Sequence, residues 1–154
     1  MSSGTALDMP VTENSQVDET LEIARLVARI SDDFRGKDIL VLDMRPITPI
    51  VDFFVIATAN SQRQMKALGE EVARVMKKRG QQRLGEEGTE GDGVWVLQDF
   101  GDVVLHVFSQ EGRELYDLEG LWADAPRVDV GLSGKSSDVE DELDEADVAD
   151  ESEE

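Results

Sequence analysis

Five side chains in this sequence could support acid–base or metal chemistry: Asp43, Asp52, Asp99, Asp102 and His106. Asp99 and Asp102 flank Phe100-Gly101, and two carboxylates so placed could hold Mg²⁺, a hard cation that prefers oxygen ligands. A tight turn selects the same residues for backbone reasons, because Asp tolerates turn geometry and hydrogen-bonds locally. His106 is the only histidine, so a multi-histidine metal site is impossible. Cysteine is absent, which removes thiolate catalysis, cysteine zinc sites and disulfides together. There is no G-x-x-x-x-G-K-[ST] loop, no G-x-G-x-x-G after a strand and no G-x-S-x-G elbow. Ser61 and Ser109 read as a helix cap and a strand end. The expectation is no catalytic residue, no cofactor and no metal.

Recognition chemistry is better represented. Val94 to Phe108 reads VWVLQDFGDVVLHVF, two apolar runs meeting at Phe100-Gly101. With those two residues as the loop, Asp99 faces Asp102, Leu97 faces Val104 and Trp95 faces His106. Val94, Val96 and Gln98 then share a nearly uniform aliphatic face with Val103, Leu105 and Val107, the face that helices should cover. The opposite face offers Trp95, Leu97, Val104, His106 and Phe108. An apolar face of this kind needs either a second covering layer or a partner. Tyr116 and Trp122 follow in a short segment, and large amphipathic aromatics often anchor interfaces. Trp95, Asp99, Asp102, His106, Phe108, Tyr116 and Trp122 are therefore the candidate partner-binding residues. The plainer alternative is that Trp95 and His106 are ordinary core.

These residues need elements to position them. At 154 residues the chain suits one domain, with 40% hydrophobic residues but only 5% aromatic. Asp18 to Phe34 repeats apolar residues at helical spacing, and Gly36 is a natural stop. Asp38 to Met44 and Asp52 to Ala59 read as strands, separated by the irregular chain that Pro46 and Pro49 impose. Ser61 to Arg79 returns to the helical period, with a serine cap and a basic C-terminal end. Gln81 to Leu84 could add a short strand before the glycine-rich stretch Gly85 to Gly93. After the hairpin, Glu111 to Ala123 is helical or irregular. The predicted fold is α/β (α+β): a mixed sheet of about five strands with flanking helices.

Charge divides the chain further. Fifteen Lys and Arg stand against 35 Asp and Glu, a net of −20. Residues 131–154 hold eleven acids and one lysine, and read as a disordered acidic tail. It is either an electrostatic arm or a solubilising extension. Residues 1–16 read as a flexible lead, leaving a folded domain at 17–130. So acidic a chain is repelled by a phosphate backbone, which disfavours direct DNA or RNA binding and favours a basic protein partner. No apolar run approaches the ~20 residues of a membrane span. The N-terminus lacks the features of a secretory signal, so a cytoplasmic protein is expected.

Two blocks carry a resemblance. Lys37 to Leu68 contains Asp43, Asp52, Phe53, Phe54 and Ser61 in a D…DYF-type pattern. Trp95 to Trp122 contains W-x-x-x-D-[FY]-G-D-x-x-x-H-x-F followed by R-x-x-Y-x-L-E-x-L-W. Over Glu19 to Ala125 the chain resembles the ribosomal silencing factor, or Iojap-like, family. Gln98 departs from the family's usual aliphatic residue, and the acidic extension after Val130 lies outside the family motifs. The resemblance implies a nucleotidyltransferase-like core without catalysis. It further implies docking on the large-subunit ribosomal protein numbered fourteen, steric exclusion of the small subunit, translation repression, and a homodimer when free. The rival reading is a degenerate nucleotidyltransferase-like, metal-dependent enzyme using Asp99 and Asp102.

Overall fold

A computed structural model describes residues 19–88 and 93–132. The expected N-terminal lead, and all but the first two residues of the expected acidic tail, lie outside the described residues. Helix α1 covers residues 19–33. It is followed by β1 (Lys37–Asp43), β2 (Phe53–Ala59), α2 (Gln62–Lys78), β3 (Gly85–Glu87), β4 (Trp95–Asp99), β5 (Val103–Ser109), α3 (Gln110–Tyr116), α4 (Leu118–Leu121) and β6 (Arg127–Val128). Six strands make one mixed sheet in the order β3-β4-β5-β2-β1-β6. Only β2 and β5, in the centre, run parallel.

Periodicity explains the helical layer. Ala24, Val27 and Ala28 of α1 and Met65, Leu68, Val72 and Met76 of α2 are fully or nearly fully buried. They pack on one sheet face against Val55, Val96, Val103, Leu105 and Val107. The Ser61 hydroxyl caps α2 by accepting from the Gln64 N–H at 3.1 Å. The opposite sheet face carries a second core, in which Leu42, Ile56, Val104 and Phe108 meet Leu118 and Ala125.

Three expectations are revised. A sixth strand, β6, pairs with β1 through Val41↔Val128 and Leu42↔Arg127; two residues are too few to show an alternating pattern. The short edge strand forms at Gly85–Glu87 rather than Gln81–Leu84, with Gly85 opposite Asp99. The β4–β5 register is displaced by two residues: Trp95 pairs with Phe108, Leu97 with His106 and Asp99 with Val104. Phe100 accounts for the displacement. It is buried in the helix-covered core, so the turn moves on to Gly101-Asp102, closed by the Phe100 N–H donating to the Val103 carbonyl at 3.0 Å. Gly101 has φ +92°, as the first central position of a primed hairpin turn requires. A two-residue displacement preserves which side chains share a face, so the two predicted faces survive it.

Candidate partner-binding face

The face opposite α1 and α2 is built around Trp95. Its indole ring lies 4.7 Å from Tyr116, 5.0 Å from Phe108 and 5.8 Å from His106, centroid to centroid. His106 in turn meets Phe54 edge-on at 4.5 Å. Depth within this cluster is graded. Phe108 and His106 are buried, Trp95 and Trp122 are half-buried, and Tyr116 is 44% exposed. On α3 and α4, Leu115 and Leu121 are 70% and 68% exposed. Phe108 and His106 thus form the floor under Trp95 and Tyr116, while the aromatic edge and two leucines face outward. Such a rim of exposed apolar groups over a rigid floor is suited to docking.

The imidazole contributes rigidity rather than charge. Trp95 Nε1–H donates to His106 Nδ1 at 3.2 Å, which leaves the ring proton on Nε2, a buried atom without a partner among the described residues. Burial pushes the His106 pKa down to about 4, so the ring is neutral at physiological pH.

Asp99 and Asp102 stand at the far end of the hairpin. Asp99 lies four residue steps along the strand from Trp95, about 13 Å. The Asp99 carboxylate accepts from the Gly101 N–H at 2.8 Å, inside the turn. Asp102 is exposed, and its carbonyl accepts from the Asp52 and Phe53 N–H groups at 2.9 and 3.0 Å. They do not face each other, in contrast to the expected pairing. Nearby, burial and the Asp102 charge raise the Asp52 pKa. The side-chain bond from Arg45, at 2.6 Å to Asp43, lowers that of Asp43. Among the described residues no three His, Cys, Asp or Glu side chains group to hold a metal ion. None of the described helices is long and apolar enough to cross a membrane.

Sequence reasoning missed the device that holds the aromatic edge in place. Arg113 is buried and forks three ways: to Thr58 Oγ1 at 2.8 Å, to the Asp38 carbonyl at 2.8 Å and to the Glu119 carboxylate at 2.9 Å. These bonds tie α3 and α4 to β1 and β2. Asp38 sits at a bulge in the β1–β2 pairing with φ +51°. Gly112 lets α3 close on β4, since a Cβ there would run into the Val94 carbonyl. The R-x-x-Y-x-L-E motif was the available signal; it joins the Arg113–Glu119 ion pair to Tyr116.

Gln98, the residue that departs from the aliphatic pattern, is fully buried beneath α2. Its amide donates to the Gly69 carbonyl at 2.9 Å and to Glu86 at 3.0 Å. Gln98 is therefore covered by α2 despite its polarity.

Comparisons with known proteins agree with this architecture. The family model described as "Ribosomal silencing factor during starvation" matches residues 17–154, continuing through the acidic segment that the motifs leave out. The Bacillus subtilis ribosomal silencing factor RsfS is 42% identical over 108 residues, covering 70% of this chain and 91% of that one. The chloroplastic Iojap protein of Arabidopsis thaliana is 31% identical over 134 residues, 86% of this chain and 55% of that protein. A crystal structure of a Chromobacterium violaceum protein superposes with TM-score 0.64 at 42% identity, covering 67% of this chain and 85% of that one. A Bacillus halodurans structure gives TM-score 0.61 at 37% identity, covering 73% and 98%. Motifs, fold and relatives converge: the chain belongs to the ribosomal silencing factor family.

Proposed function

We propose that this chain represses translation by occupying the joining surface of the large ribosomal subunit, where it docks on the ribosomal protein numbered fourteen and blocks the small subunit. The observation that carries this reading is the half-buried Trp95 ring packed on the exposed Tyr116 ring at 4.7 Å, on the sheet face that α1 and α2 leave uncovered, with exposed Leu115 and Leu121 on the short helices α3 and α4. Trp95, Tyr116 and Trp122 supply apolar anchors, with His106 and Phe108 as their floor. Asp99 and Asp102 offer carboxylates to basic groups at the rim, where charge-assisted bonds are strong. An acidic ligand gains steering towards a basic ribosomal protein. Exclusion by volume needs no reactive group, so the action is non-enzymatic and cytoplasmic. The same apolar edge supports self-association when the chain is free.

A subunit-joining assay with purified small and large subunits tests this. Excess intact protein is expected to hold the subunits apart on a sucrose gradient. Trp95→Ala and Tyr116→Ala are expected to restore joining at equal concentration, with truncation costing about 2 kcal/mol or more of binding at a central anchor. Unimpeded joining in the presence of excess intact protein would reject the proposal.

A further inference from the structure

A groove of about 680 Å³ lies between α2 and the edge strands β3 and β4, on the sheet face away from Trp95. Met65, Ala73 and Val96 give it apolar lining. Lys66, Arg74, Lys77 and Arg83 surround these, with Glu70 and Glu86 as the acidic members. Arg74 is paired with Glu71 at 2.6 Å and Arg83 with Glu86 at 3.2 Å. Among the described residues, Lys66 and Lys77 have no carboxylate within ion-pair distance. Between positions 62 and 84 lie seven of the fifteen Lys and Arg residues against two acids. A basic island of this density is anomalous in a chain of net charge −20.

We propose that the groove is the docking site of the chain's own acidic segment, residues 138–154. That segment holds eleven acids and no basic residue, and its Val139, Leu143 and Ala146 recur at i, i+4 and i+7. It therefore offers apolar groups for the lining and carboxylates for Lys66 and Lys77. The reach is adequate. Leu132 packs on the helix-covered core, so the chain departs on the groove's side of the sheet. From β6 to β3 is five strand spacings, about 24 Å. The 22 residues 133–154 could cover at most about 75 Å at full extension, which exceeds that distance. A segment tethered within reach gains effective concentration over a free partner. A nucleic acid would have to displace this tethered polyanion and approach against the chain's net negative charge. Docking of the segment would thus screen this basic groove from polyanions, independently of how the aromatic face is used.

Paramagnetic broadening in the full-length chain tests the assignment. The sequence has no cysteine, so Ala149→Cys provides a single spin-label site. At low salt, amide signals of Lys66, Ala73 and Lys77 are expected to lose more than half their intensity. Lys66→Glu with Lys77→Glu, both at exposed positions, is expected to restore them. Salt at about 0.5 M, with a Debye length near ~4 Å, should do the same. Broadening spread evenly over the surface, or unchanged in the double variant, would overturn the proposal. Broadening of an isotope-labelled, spin-free chain by an unlabelled, spin-labelled one would assign the groove to a second copy and overturn it equally. Shifts at these amides on adding a short single-stranded RNA, without broadening from the tail, would make the groove a nucleic-acid site instead.

Discussion

The bond from Trp95 to His106 fixes a protonation state as well as a geometry. With Nδ1 accepting the indole N–H, a second proton would charge a ring that burial keeps out of water. The folded chain therefore holds the His106 pKa near about 4, against an ordinary value of 6.5. The unfolded chain binds the proton that the folded chain refuses, so stability is complete above about pH 6.5 and falls as pH drops towards 4. Urea unfolding at pH 7.5 and pH 5 should show a loss of about 2 kcal/mol assignable to this ring. His106→Gln, which cannot titrate, should lose less stability over the same interval. Equal losses in the two proteins would show that the ring does not titrate as argued.

Among the elements, α3 and α4 depend on one buried guanidinium. Arg113→Ala should cost about 3 kcal/mol in chemical unfolding, because it strands the Glu119 carboxylate and frees the Asp38 carbonyl and the Thr58 hydroxyl. Tryptophan emission should also shift to the red as Trp122 and Trp95 gain water. An unchanged spectrum at an unchanged midpoint would show that the segment is held without Arg113. This arginine also marks the limit of what could be read from sequence. The stripes of α1 and α2 were legible because a 3.6-residue period needs only neighbouring residues. The division of β4 and β5 into two faces was legible because alternation survives a two-residue displacement. The register was not, because it depends on where Phe100 finds a core. Arg113 was not, because its partners lie 55 and 75 residues away. For the same reason alternation placed His106 and Phe108 beside Trp95 but could not show them lying beneath it.

At the level of the whole molecule, charge is arranged against its own average. The −20 chain carries a basic groove on one side of the sheet and an aromatic edge with acidic flanks on the other. Association with the proposed basic ribosomal partner should be salt-sensitive mainly in its on-rate, falling about tenfold between 50 and 300 mM salt. Stopped-flow mixing measures this directly, and an on-rate indifferent to salt would remove electrostatic steering from the account. The parallel pairing at the centre of the sheet has a separate consequence for synthesis. Phe53 meets Val103 and Ala59 meets Ser109, partners fifty positions apart in the chain. A ribosome translating this message has therefore long released the first of the two middle strands before the second emerges from its tunnel. Until then the nascent sheet has no interior seam, and completion of the fold waits on β5.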